Sequence, residues 1–366
     1  MTGSPYEDSP LIASIKRTRA CATANHDAQT PCIQAEMPVV IQPASPNHIF
    51  LVGGAENAER GEDATPRHSG PHHPTAKEKR ARNLLRFLSN PIPLRMTPQD
   101  FSIDTLYHQV NSEFPWFHNA TYELLSHIAS SHANNSPLSF PPILLSGQPG
   151  IGKTRWAKKI AGITDPRASI VIPLAGVSTT MNILGCDQVY EGSCPGGWYD
   201  AIQQSQIANP IMVLDEIDKT AGVNFNPAMA YLSFLEKENA RQFFCPYFRK
   251  SLDLSTINYI CTANDIKAIP QPLIDRMIEV KCPLPKWRDI EARIPSFVNE
   301  AMDGKVPPET YAPDMDQIRA VFERQQSLRG IIKEIQRQVG LSTWTPPPSD
   351  YRADNSITER RMGFCP

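Results

Sequence analysis

Short apolar runs bounded by turn-forming residues recur along the middle of this chain, with helical periodicity between them. Pro141-Pro142-Ile143-Leu144-Leu145-Ser146 predicts a buried strand, and residues 169–174, 210–214 and 257–262 predict three more. Apolar positions three and four apart predict helices over 104–114, 120–132 and 153–161. Strands alternating with helices imply an α/β domain on a mainly parallel sheet with helices on both faces. After Pro285 the pattern is largely helical, through 287–303, 315–323 and 328–339, which predicts a small helical domain. No internal repeat is visible.

The flanks read differently. Residues 1–76 mix Pro, Ser, Thr, Asn, His and Gly, with only short apolar patches such as Ile49-Phe50-Leu51-Val52. So little apolar surface does not offset the chain entropy of folding, so this segment is expected to be disordered. Leu84, Leu85, Phe87 and Leu88 beside Lys77, Lys79, Arg80, Arg82 and Arg86 predict a basic amphipathic helix over 77–88, ended by Pro91, Pro93 and Pro98. The expected division is 1–76 disordered, 77–104 basic helix and linker, 105–284 large α/β domain, 285–342 small helical domain and 343–366 a loose tail. That tail holds Pro346-Pro347-Pro348.

Composition narrows the class. A net charge of −2 with 20% charged residues does not mark a nucleic-acid binder, although a local basic patch remains compatible with it. The eight cysteines include no Cys-x-x-Cys pair, so zinc and redox motifs are not signalled, and reduced thiols in a cytoplasmic protein are expected. No run of about 18 apolar residues suggests a membrane span. His68, His72 and His73 are metal-ligating residue types, but their setting reads as a solvated linker.

The chemistry is concentrated at one loop. Gly147-Gln148-Pro149-Gly150-Ile151-Gly152-Lys153-Thr154 has the Gly-x-x-x-x-Gly-Lys-Thr spacing, preceded by a predicted strand and followed by a predicted helix. Glycines let consecutive N–H groups face phosphate oxygens, and the helix N-terminus favours the same negative charge. In that arrangement Lys153 reaches the β- and γ-phosphates of ATP and Thr154 holds Mg²⁺. A chance glycine loop would not come with both flanking elements. About sixty residues on, Ile211-Met212-Val213-Leu214 leads into Asp215-Glu216. Ligands of open α/β sheets gather at the C-terminal strand ends, so Asp215 is expected near Mg²⁺. Glu216 is expected to act as general base toward the attacking water.

At this point the chain resembles a known family. Asn209-Pro210-Ile211-Met212-Val213-Leu214-Asp215-Glu216-Ile217-Asp218-Lys219 is similar to the Walker B segment of Lon-type AAA+ ATPases. So are Tyr259-Ile260-Cys261-Thr262-Ala263-Asn264 and Ile269-Pro270-Gln271-Pro272-Leu273-Ile274-Asp275-Arg276-Met277. The resemblance spans about residues 105–340. It implies a P-loop NTPase sheet followed by a helical AAA+ lid, with Asn264 as sensor 1, Arg276 as arginine finger and Arg329 as sensor 2. A finger supplied to a neighbour implies a homo-hexameric ring. Tyr190-Glu191-Gly192 stands where the family carries an aromatic-apolar-Gly pore loop, but Glu191 replaces the usual aliphatic residue. A tyrosine packed at a loop base is the competing expectation there.

Only about 37 residues follow Arg329, too few for the family's Ser-Lys peptidase domain, so peptide hydrolysis by this chain alone is not expected. The leading expectation is a Mg-ATP-hydrolysing ring that remodels or unfolds a protein partner. A nucleic-acid-linked motor or loader using the basic face over 77–86 is the alternative. A non-hydrolysing nucleotide-dependent scaffold is the third, disfavoured by the presence of Glu216 and Arg276.

Overall fold

The computed structural model describes residues 48–52, 75–97, 102–164, 169–220, 226–302 and 312–343. The chain divides into two compact units, the first ending at Lys286 and the second beginning at Trp287. In chain order the strands are β1 (His48–Ile49), β2 (Ile92–Pro93), β3 (Ile143–Ser146), β4 (Ser169–Pro173), β5 (Ile211–Asp215), β6 (Phe243–Cys245), β7 (Lys250–Leu252), β8 (Asn258–Ala263) and β9 (Ile278–Lys281). Five of them form the main sheet in the order β4-β5-β8-β3-β9. Every neighbouring pair in it is parallel.

Parallel sheets bury both faces, which is why their strands read as continuous apolar runs. Ile211, Met212, Val213 and Leu214 are all buried, each favouring the fold by about 1.5–3 kcal/mol. The helix Lys153–Thr164 packs against β4, β5 and β8, and the helix His118–Ala133 against β9. The four predicted strands are present, each shifted by no more than two residues at either end.

A fifth, β9, gave no such signal. Ile278, Glu279, Val280 and Lys281 alternate in polarity and are nowhere fully buried, as suits an edge strand. Its register is nonetheless informative. Ile143 pairs with Ile278 and Ser146 with Lys281, so the residues before β9 lie at the N-terminal end of β3, away from the loop that follows Ser146.

The expectation of disorder over 1–76 needs correction at 48–52. Leu51 is fully buried, its carbonyl accepts the Asp253 N–H at 2.8 Å, and Val52 bridges Leu252. Leu51 shares a core cluster with Leu88, Ile92 and Leu252, so distant partners supply the apolar contact that local composition lacks. Residues 1–47 and 53–74, with the histidine cluster at 68, 72 and 73, lie outside the described residues, as does the tail from 344.

The basic helix is real and runs over Ala76–Ser89, opened by a capping box in which Thr75 and Glu78 satisfy each other's backbone N–H. Ala81 and Leu88 are buried, and Phe87 meets Tyr199 edge-on at 6.2 Å. Lys79, Arg82 and Arg86 recur at helical spacing on the exposed side.

The second unit contains Trp287–Glu291, Ile294–Ala301, Met315–Gln325 and Leu328–Thr343. The last packs against Ile294–Ala301 and Met315–Gln325. Ile318, Phe322, Leu328, Ile331 and Ile335 are buried at helical spacing. Asp314 caps its helix by accepting the Gln317 N–H.

Candidate nucleotide-binding site

The loop Gly147–Thr154 leaves the C-terminal end of β3. Its first glycine is held between neighbouring strand ends: Gly147 N–H donates to Ala263 O at 3.3 Å, and Cys282 N–H to Ser146 O at 2.7 Å. A Cβ on Gly147 would stand 2.7 Å from the Cys282 carbonyl oxygen, so no larger residue fits there. Gly150 and Gly152 have φ of 80° and 100°, the left-handed region in which glycine is unstrained. The loop is also braced from outside, because Trp116 donates its indole N–H to Ile151 O at 3.0 Å.

Lys153 opens the following helix and is only 6% exposed. Its ammonium donates to Gly147 O at 2.7 Å, Gln148 O at 2.8 Å and Asn264 Oδ1 at 2.8 Å. Burial lowers its pKa, opposed by the nearby carboxylates of Asp218, Asp215 and Glu216. A desolvated ammonium of this kind gains strongly from a nearby anion. Cys282 stays a thiol, since burial pushes its pKa up to about 12.

The acids sit where β5 ends. Asp215 Oδ1 accepts both the Thr154 hydroxyl at 2.6 Å and the Thr262 hydroxyl at 2.7 Å. Thr262 Oγ in turn accepts the Glu216 N–H at 3.0 Å. Glu216 is held at φ 58° and ψ 50°, a left-handed conformation that costs an L-residue about 1–2 kcal/mol. Such strain is found where surrounding structure over-determines a functional position. Asp218 is buried, and its Oδ2 accepts the N–H of Asp265, the residue after Asn264. One turn is thereby tied to the other.

Lys153 thus contacts Asn264 and Thr154 contacts Asp215, with Glu216 joined through Thr262. Of the remaining predicted residues, Arg276 lies elsewhere in the same unit. Arg276 precedes β9 at the opposite end of the strand and pairs with Glu236 at 3.2 Å. Arg329 is exposed on the first turn of Leu328–Thr343, in the second unit. Tyr190 is 58% exposed, so it is not a packed loop-base ring. Its loop is buttressed by the Asp187–Arg249 ion pair and by Gln188 donating to Tyr247 O at 2.6 Å, and Lys77 donates to the Tyr190 carbonyl.

Residues 143–284 match the family model described as "ATPase family associated with various cellular activities (AAA)". These residues are an AAA ATPase domain. The same stretch is similar to Lon proteases. Peroxisomal Lon protease homolog 2 of Oryza sativa subsp. japonica is 40% identical over 144 residues, 39% of this chain and 16% of that protein. The mitochondrial Lon protease homolog of Yarrowia lipolytica is 32% identical over 199 residues, 54% of this chain and 17% of that protein. The chain therefore matches about a sixth of the length of these relatives. Among solved structures, a Saccharomyces cerevisiae Hsp104:casein complex aligns with a TM-score of 0.53 at 17% identity, over 73% of this chain and 51% of that one. A closed-state reconstruction of Hsp104 with ATPγS and FITC casein gives the same TM-score at 15% identity, over 67% and 49%. At such identities the likeness concerns the fold.

Three residues that shape this site escaped the sequence reading: Trp116, Asp218 and Thr262. Thr262 faces Asp215 because Leu214 pairs with Cys261, which is legible only once β5 and β8 are known neighbours. Trp116 lies 35 residues from its partner, with no local signal. Trp116→Phe keeps an aromatic ring but leaves the buried Ile151 carbonyl without its donor, which is expected to destabilise the protein by about 1–3 kcal/mol. Urea unfolding measures this, and nucleotide affinity should weaken in parallel as the loop loosens. An unchanged midpoint would remove the bracing role.

Among the described residues no helix is long and apolar enough to cross a membrane. No group of three or more His, Cys, Asp or Glu side chains there could hold a metal ion. Cys186, Cys194, Cys245, Cys261 and Cys282 are all free.

Proposed function

We propose that this protein binds and hydrolyses Mg-ATP as a ring of identical subunits and uses the cycle to remodel a protein partner. The observation that carries the chemistry is Asp215 Oδ1, which gathers the hydroxyls of Thr154 and Thr262 beside the Lys153–Asn264 contact. The donor set fits a nucleotide with magnesium. Left-handed glycines and a buried ammonium suit phosphate, and a hydroxyl with a carboxylate are the hard oxygen ligands Mg²⁺ takes. Since these two are the chain's own candidate ligands, phosphate oxygens and water would complete the shell. The bound ion would neutralise charge on the β- and γ-phosphates.

The rest falls to the chain. Lys153 exchanges its carbonyl acceptors for phosphate oxygens, and loop amides cradle the remaining charge. Asn264, released from Lys153, orients water. Glu216 takes the proton of that water. Arg329 is assigned to phosphate sensing from the second unit.

Arg276 is assigned to a neighbour's loop rather than its own. The β3–β9 register puts Ile278, which follows the Arg276 turn, roughly 13 Å from Gly147 along the strand direction, taking about 3.3 Å per residue. A head-to-tail neighbour supplies the geometry that one copy lacks, and such contacts close into rings. A hexamer is the size the Lon-type resemblance implies. The exposed Tyr190 supports contact with an extended polypeptide.

Lys153→Ala tests the cradle. ATP binding measured by calorimetry is expected to fall at least about 100-fold, since a charge-assisted contact and its partner network are both lost. Retained tight binding would refute the assignment. The exposed Lys79, Arg82 and Arg86 support the second reading, a nucleic-acid-linked motor. DNA or RNA binding that strengthens steeply as salt falls, with stimulated turnover, would establish it over protein remodelling.

A further inference from the structure

We infer that Glu236 is a positioning residue for Arg276, presetting the guanidinium for an anion carried by a second copy of this chain. The inference rests on the ring ATPase reading above. A guanidinium has five N–H donors in a rigid fork. In Arg276, Nε and Nη2 both donate to Glu236 Oε2, at 3.3 and 3.2 Å, which occupies the side-on edge. Nη1 donates to the Pro272 carbonyl at 2.9 Å, four residues back. Two hydrogens remain, one each on Nη1 and Nη2. These remaining donors on Nη1 and Nη2 are open to an anion such as a phosphate oxygen. Glu236 therefore takes the side-on edge and leaves donors on both terminal nitrogens for a partner.

Glu236 is itself held. Asn239 Nδ2 donates to the same Oε2 at 2.6 Å, and the Glu236 carbonyl accepts the Ala240 N–H at 2.9 Å as the helix Lys237–Ala240 begins. Phe234 and Leu235 before it are buried, which anchors the backbone. Leu273 and Met277 are likewise buried on either side of Arg276. Both side chains are about one-third exposed, at 33% and 38%, so the pair contributes little to folding. It does fix the plane of a long side chain that would otherwise sample many rotamers. The arginine borders an open cleft lined also by His127, Ser139, Pro142 and Lys237.

The test compares Glu236→Ala and Glu236→Gln in the full chain. Glu236→Ala is expected to lower kcat for ATP by about tenfold while KM changes less than about twofold, because only the transition-state contact is misplaced. Glu236→Gln, which keeps an acceptor oxygen, should fall in between. Adding Arg276→Ala to Glu236→Ala should cost nothing beyond Arg276→Ala alone. An unchanged kcat, or losses that multiply, would overturn the proposal. An independent arm uses arginine side-chain nitrogen NMR of the full chain, with the Arg276 Nε–H signal identified by its absence in Arg276→Lys. That proton should exchange slowly in the unmodified protein and rapidly in Glu236→Ala. Equal exchange refutes the pairing whatever the enzyme does. Slow exchange in a protein that never turns over ATP would instead refute the ATPase reading alone.

Discussion

Glu216→Gln is expected to cut ATP turnover by about 10²–10⁴-fold, the range for removing a positioned general base, while leaving nucleotide bound. Its N–H, not its carboxylate, donates to Thr262 Oγ, so the backbone contact that places it survives the change. Gln has the same length as Glu and meets the same left-handed backbone, so the strain at φ 58° is unaltered and stability should hold. What is lost is proton affinity alone. Turnover is read by phosphate release and binding by retention of ATP after rapid buffer exchange. Turnover within a fewfold of the unmodified protein would place the base elsewhere. Loss of ATP binding would show that Glu216 shapes the cradle. The trapped variant is also the reagent for finding the partner, since proteins retained on it with ATP are candidates for remodelling.

How much of this site could be read in the sequence depends on the range of its interactions. The loop from Gly147 to Thr154 is local: its spacing, its glycines and its flanking elements are contiguous, so the pattern carries the geometry. Asp215 is nearly so, since four buried residues lead straight into it. Thr262 is not, because its contact with Asp215 depends on which strands neighbour each other. Trp116 depends on tertiary packing across 35 residues. The same contrast runs through the fold. β5 and β8 announce themselves by apolar runs, while the edge strand β9 alternates and the hairpin β6–β7 offers three residues a side. Leu51 looked isolated in a polar segment because its partners, Leu88, Ile92 and Leu252, are far along the chain. Arg276 was legible as a residue type in a familiar setting, but the side of the sheet it occupies required the β3–β9 register.

That register drives the second large effect. Arg276→Ala is expected to lower turnover by about 10³–10⁵-fold, the worth of an arginine finger in other NTPases. Lys153→Ala should be as inactive for a different reason, since its own cradle is broken while its Arg276 remains. Mixing the two inactive proteins, under conditions that exchange subunits, separates action on a neighbour from action at home. A site built from the intact cradle of an Arg276→Ala subunit and the arginine of a Lys153→Ala neighbour is complete. Random assembly at equal amounts makes roughly a quarter of sites complete in a head-to-tail ring. Turnover should therefore rise from near zero to about that fraction of the unmodified protein and depend on total concentration as assembly does. If Arg276 served its own loop, every site in the mixture would lack one essential group and turnover would stay flat. The roughly 13 Å that parallel pairing of β3 with β9 sets between the start of β9, where the Arg276 turn ends, and Gly147 argues against that outcome, because an arginine side chain does not span it.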